Sequence, residues 1–144
     1  NNPETLTSYH NLGVVFSRQG KLKKAEETLR NAMEWREKVL GYDHPETLIS
    51  KSKLAEIIMT RNRLAEAEKM FRDILKMQKK RMGKNHPDLA YTLFYLGTAL
   101  EKMGKKEEAV LCYREAIKLG DDVMKQKSRL AVERISPKSP VNSD

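Results

Sequence analysis

Apolar residues return along this chain at intervals of three and four. Leu6, Tyr9, Leu12 and Phe16 make the first such stripe, the spacing that puts side chains on one face of an α-helix. The stripe stops at Gly20, and a second one runs through Ala25, Leu29 and Ala32 towards Gly41. Stripe, break, stripe, glycine is the grammar of a helical hairpin.

That grammar recurs with a fixed period. Asn2-Pro3-Glu4-Thr5-Leu6 returns 42 residues later as His44-Pro45-Glu46-Thr47-Leu48, and 42 residues after that as His86-Pro87-Asp88-Leu89-Ala90. The residues between these anchors align without a gap. Leu12, Leu54 and Leu96 share a column, as do Gly13, Ala55 and Gly97, then Phe16, Ile58 and Leu100. Gly20, Asn62 and Gly104 follow, then Ala25, Ala67 and Ala109, Leu29, Phe71 and Tyr113, and Ala32, Ile74 and Ala116.

Each unit therefore predicts two helices. Proline suits the first helical position, whose amide has no intrahelical partner, so the first helices should begin near Pro3, Pro45 and Pro87. They should end where Gly20, Asn62 and Gly104 stand, because glycine and then asparagine tolerate a left-handed cap. The second helices are expected over roughly 23–40 and 65–82 and from 107 onward, with Gly41 and Gly83 closing the first two. Small residues in the Gly13 and Ala25 columns permit close approach within a hairpin. A lone hairpin cannot bury its apolar face, so neighbours must stack into a solenoid.

The run Leu12-Gly13, Phe16, Gly20, Ala25, Leu29 and Ala32 resembles the tetratricopeptide repeat, and the unit from Leu96-Gly97 through Gly104, Ala109, Tyr113 and Ala116 is nearest its consensus. The family's usual repeat has 34 residues. The extra residues of this 42-residue form fall at the end of the second helix, where Trp35/Val39, Met77 and Leu119/Val123 should continue the apolar seam. With Lys38-Val39-Leu40-Gly41-Tyr42-Asp43-His44-Pro45, the extended form resembles the repeats of kinesin light chains, and similar units occur in nephrocystin-like proteins and STAND receptors. The resemblance implies an all-α fold: three helix-turn-helix hairpins in a right-handed superhelix. Repeats over about 2–43, 44–85 and 86–127, with an extended C-terminal helix, make an array over residues 1–135. The third second-helix is expected to run on through Gly120 towards Arg134, with Leu130 and Ile135 folding back as a cap. Residues 136–144, Ser-Pro-Lys-Ser-Pro-Val-Asn-Ser-Asp, read as a disordered tail. Leu6 and Tyr9 are expected to lie on an uncovered N-terminal face that self-associates or belongs to a longer array.

Composition agrees with a helical domain: 33% charged, 39% hydrophobic and 6% aromatic, with the β-branched and aromatic residues of an all-β protein scarce. A single cysteine excludes an internal disulfide and suits a reducing, cytoplasmic compartment. No apolar run reaches the length of a membrane span. The net charge of +8 is uneven: +1 over residues 2–43, +6 over 44–85, zero over 86–127 and +1 beyond. The middle excess, notably Lys76, Lys79, Lys80, Arg81 and Lys84, lacks the interleaved aromatics of a nucleic-acid site and reads as a solvated helix face or an attraction for an acidic protein.

Chemistry is poorly supplied. The chain has no phosphate loop, no G-x-S-x-G and no H-E-x-x-H, so neither catalysis, a metal nor a cofactor is expected. His44 and His86 hold the same place in successive repeats and read as residues leading into a helix. Cys112 reads as an idle thiol, and Glu26/Glu27 as acids that complement the dipole at the start of a helix.

In tetratricopeptide arrays the first helices line a concave groove. Counted from the aligned leucine, that resemblance gives Thr7, His10, Asn11, Val14, Ser17 and Arg18 in the first unit. It gives Ile49, Ser52, Lys53, Glu56, Met59 and Thr60 in the second, and Tyr91, Phe94, Tyr95, Thr98, Glu101 and Lys102 in the third. Tyr91, Phe94 and Tyr95 share one helical face and make an aromatic anchor of the kind hot spots use. Asn11 stands where kinesin light chains hold a peptide backbone, although Lys53 and Tyr95 depart from that pattern. The carboxylate clamp of chaperone adaptors is not matched. The expectation is a noncatalytic scaffold that captures a peptide or helix through His10, Asn11, Arg18, Lys53, Glu56, Tyr91, Phe94 and Tyr95, with an acidic partner favoured. The alternatives are the sensor array of a STAND-type ATPase and a self-assembly module.

Overall fold

A computed structural model describes residues 2–136, so the expected tail lies outside the described residues except for Ser136. Seven helices are present among them: α1 (Pro3–Arg18), α2 (Leu22–Leu40), α3 (Pro45–Thr60), α4 (Leu64–Met82), α5 (Leu89–Lys102), α6 (Lys106–Leu119) and α7 (Asp122–Ile135). The chain divides into two compact units, Asn1–Ile74 and Leu75–Asp144, with the boundary inside α4.

The anchors act as caps. Asn2 Oδ1 accepts the Glu4 amide at 2.8 Å, and His44 Nδ1 accepts the Glu46 amide at 3.1 Å. Each satisfies an amide that the helix start would leave unpaired. His86 Nδ1 takes the Asp88 amide in the same way at 3.1 Å. There the chain first makes a tighter turn, with the Leu89 amide on the His86 carbonyl, so α5 starts two residues after Pro87.

The turns between paired helices are alike. Gly20, Asn62 and Gly104 have φ of 77°, 68° and 83°. Lys21, Arg63 and Lys105 then donate their amides back to Phe16, Ile58 and Leu100, the six-residue closure of a Schellman turn.

In unit 1, α1 pairs with α2, and α2 with α3. Ala25, Leu29, Ala32, Leu54, Ala55 and Ile58 are fully buried there. Gly13 meets Leu29 so closely that an added Cβ would lie 2.7 Å from its Cγ. In unit 2, α5 pairs with α6 and α6 with α7. Leu89, Ala90, Leu93 and Ala116 form one cluster of its core, with Leu75, Phe94, Leu119 and Met124 packed against it.

Three expectations are corrected. The last helix does not run on: α6 ends at Leu119, Gly120 is extended (φ −76°, ψ 170°), and Asp121 caps α7 by accepting the Met124 amide at 2.9 Å. An aspartate after glycine is a strong start signal and overrides the apolar continuity across the gap. As a result α6 has 14 residues where α2 and α4 have 19. The apolar seam also fails at its ends. Trp35, Val39 and Val123 are exposed, and Lys38 lies over the Trp35 ring at 5.0 Å. Leu6, finally, is buried, on the same side of α1 as His10 and Gly13, which α2 and α3 occupy. The exposed large apolar residues of α1 are Tyr9, Leu12 and Val15.

Candidate partner-binding surface

In unit 1 the structure gathers Val14, Ser17 and Arg18 of α1 and Lys53 and Glu56 of α3 around a cavity of about 160 Å³, completed by Leu29 and Ile57. Leu29 and Ile57 belong to the core and make an apolar floor. Arg18 is exposed, and Lys53 is half-exposed with its Nζ 3.6 Å from the Glu56 carboxylate. The result is a small recess, apolar at its floor and polar at its rim, with two cations and one acid at its mouth. Asn11 is exposed on α1 and does not line this cavity.

His10 leaves the surface set. It is buried, with Nδ1 3.0 Å from Ser50 Oγ. Burial, then the charges of Arg36 and Lys53, hold its pKa down to about 4, so the ring is neutral near pH 7. Ser50 also accepts Arg36 Nη1 at 2.9 Å, and the same nitrogen donates to the Glu46 carbonyl at 2.9 Å. The Glu46 carboxylate lies 3.2 Å from Arg36 Nη2. Arg36 is itself buried, and burial pulls its pKa down, opposed by Glu46. This polar network ties α1, α2 and α3 together, and sequence reasoning missed it.

A second missed hub is Glu26. It receives Arg30 at 3.1 Å, Arg61 at 2.7 Å and Arg63, so α2 is bound to the turn after α3. Burial alone would raise its pKa, but the arginine hydrogen bonds outweigh it and hold the carboxyl near 2. Dipole complementarity was an incomplete account of this residue. A signal did exist, because Glu26–Arg30 recurs 42 residues on as Glu68–Arg72, at 2.7 Å.

In unit 2 the three aromatics of α5 are in contact. Tyr91 and Tyr95 have centroids 4.7 Å apart, and Phe94 meets Tyr95 edge-on at 5.3 Å. All three are half-buried. Phe94 also packs on the core and lies 5.7 Å from Tyr113. Glu101, expected on the same groove face, is engaged. It accepts Arg134 Nη2 of α7 at 2.6 Å and Tyr113 Oη at 2.8 Å. The hydrogen bond from Arg134 is the main reason its pKa is lowered, and burial chiefly raises that of Tyr113.

Among the described residues no three histidine, cysteine or acidic side chains are placed to hold a metal ion, and no helix is long and apolar enough to cross a membrane. Lys76, Lys79, Lys80, Arg81 and Lys84 are all exposed at the C-terminal end of α4, where cations complement the helix dipole.

Hairpins of paired helices with a common cap, a common turn and a recurring small-residue contact define an all-α repeat fold. The tetratricopeptide-repeat family profile matches residues 4–80 and 49–121, and the chain belongs to that family, whose repeats serve as noncatalytic modules for binding proteins and peptides. Solved structures with this fold include a Podosopora anserina protein assigned as a kinesin light chain with nearly identical TPR-like repeats, at 22% identity and a TM-score of 0.82. A single-substitution variant of that protein gives 22% and 0.81, and BtubC (BKLC) from P. vanneervenii gives 19% and 0.81. Each alignment covers 94% of this chain, which spans 67%, 66% and 58% of those chains in turn. No curated protein sequence matches the chain.

Proposed function

We propose that the chain is a noncatalytic, cytoplasmic scaffold that captures a peptide or helical segment of a partner protein on the groove-facing sides of its first helices. The observation that carries this reading is the recess among Val14, Arg18, Lys53 and Glu56, where an apolar floor lies under two cations. Such a recess suits an apolar side chain next to an acidic one, and the positive potential speeds encounter with acidic partners. Tyr91 and Tyr95 offer a second contact on α5, where aromatic rings lose little conformational freedom on binding. Asn11 supplies an amide for a peptide backbone.

The test is fluorescence anisotropy with a set of acidic, apolar-containing peptides. Arg18→Glu and Lys53→Glu should each weaken binding by about tenfold, and Tyr95→Ala should weaken it as well. Affinities unchanged by both charge reversals would overturn the assignment of the recess.

A further inference from the structure

The basic end of α4 is more than the fold requires. Lys76, Lys79, Lys80, Arg81 and Lys84 are all exposed and belong to unit 2. Helix α2 stands 42 residues earlier in the same register and is also 19 residues long. At the matching places it leads through Glu34, Glu37, Lys38 and Val39 to Tyr42. One lysine against two glutamates gives −1 there, where α4 and its turn carry +5. A hairpin of this kind therefore forms without the cations.

The helix dipole accounts for only part of them. Lys38 is the one cation in the last turn of α2 and Lys118 the one in that of α6, against three in α4. Lys76 lies before that turn, and the effect of the dipole fades within it. Lys76, Lys79 and Lys80 meanwhile share one face at i, i+3 and i+4, where like charges destabilise a helix. Elsewhere Lys51, Arg63 and Arg134 are each held by an acid. Among the described residues Lys76, Lys79, Lys80 and Lys84 make no hydrogen bond or ion pair. The stripe works against the free chain, and an anion brought by another molecule would offset it.

The chemistry of the stripe selects the anion. Residues 76–85 hold no aromatic to stack on a base. Their apolar members, Met77 and Met82, are half-buried rather than offered to a bilayer. From Lys76 to Met82 the helix rises about 9 Å, the reach of about three residues of extended chain, and Lys84 carries the charge past its end. Exposed Asp73 and Asp88 bracket the run in sequence, so a narrow anionic strand suits it better than a broad charged surface. A second copy of this chain offers no such strand, because its acids never exceed two in succession, as at Glu107-Glu108. We infer that this end of α4 binds an extended acidic segment of a partner protein, a run of several Asp or Glu residues. Such runs repel themselves into extended, unfolded chain, and charge complementarity speeds their encounter with the lysines. The surface lies on a second helix, separate from the groove-facing sides of the first helices.

The probe is fluorescein-labelled hexaglutamate, titrated by fluorescence anisotropy into the full chain at about 50 mM salt. Saturable binding at roughly 100 μM or tighter is expected, weakening as salt is raised. Lys79→Glu with Lys80→Glu should weaken it by about tenfold or more. The charge-matched pair Lys21→Glu with Lys23→Glu, exposed at the start of α2, should weaken it by less than about threefold. Lys53→Glu at the groove recess should do no more than that pair, which separates failure of this surface from failure of the groove. Lys79→Gln with Lys80→Gln relieves the repulsion, so its thermal melt should be no lower than the parent's while its affinity for the peptide falls. Absence of saturation, or equal losses with the two reversal pairs, would overturn the inference. Tighter binding of phosphatidylserine vesicles or of a single-stranded oligonucleotide, lost with Lys79→Glu and Lys80→Glu, would replace the acidic segment with that occupant.

Discussion

Arg61 reaches back from the turn after α3 to Glu26 in α2, its Nη1 standing 2.7 Å from the carboxylate. Arg30 and Arg63 bond to the same group, so one acid serves as the tie between two successive hairpins of unit 1. Removing the acid would leave three guanidinium groups with a lost common partner.

Glu26→Gln should therefore lower stability by about 2 kcal/mol, the loss of an ion pair whose arginines remain partly solvated. The pH dependence has a definite sign. The Glu26 pKa is held near 2 against an ordinary 4.5, so its contribution is complete above about 4.5 and is lost as pH falls towards 2. Thermal melts from pH 6 to pH 2 should show the parent losing stability over that window and Glu26→Gln losing less. Parallel curves would refute the assignment.

His10 should titrate far from solvent-exposed histidines. With a pKa of about 4 against an ordinary 6.5, it favours the unfolded chain increasingly as pH drops from 6.5 to 4. The imidazole resonances of His10 should remain those of a neutral ring at pH 5. A ring half-protonated near pH 6.5 would mean that the Ser50 and Arg36 network does not enclose it.

Gly97 has little room for a side chain, since a Cβ would stand 2.9 Å from Tyr113 Cε1. Gly97→Ala should cost about 1–3 kcal/mol through displacement of that ring. Its hydroxyl bonds to Glu101 and Thr98 would shift as well. Urea denaturation is the measurement, and a change under about 0.5 kcal/mol would show that α5 and α6 separate without strain.

Asn62 is the one non-glycine residue with positive φ among the described residues, at 68°. Asn62→Gly should stabilise the chain by a few tenths of a kcal/mol, and Asn62→Ala should destabilise it by about 1 kcal/mol. If the alanine variant were the more stable, the shared turn geometry would be wrong.

Much of the architecture was legible because it is local or periodic. Asn2, His44 and His86 act on amides two residues away, and the Gly20, Asn62 and Gly104 turns need only one left-handed residue. Arg18, Lys53 and Glu56 were singled out by helical phase plus the family's groove, and the structure sets them around one cavity. Burial of His10 was not legible, because its partners Ser50 and Arg36 lie 40 and 26 positions further along and its type suits a surface equally well. Trp35 and Val39 sit at core-like spacing but outside the covered side of α2, which Arg36 occupies at this level. The break at Gly120 was missed because the capping power of Asp121 was overlooked.

The shared 42-residue spacing of Asn2, His44 and His86 bears on how such a gene can change. Deleting residues 44–85 would join Asp43 to His86 with a cap before the proline, a left-handed turn after the first helix, and Arg36 placed to meet Thr92 as it now meets Ser50. Unequal recombination in whole units would thus lengthen or shorten the chain without spoiling a single local signal. Past Gly120 the register is lost, and a crossover there would join helices out of phase.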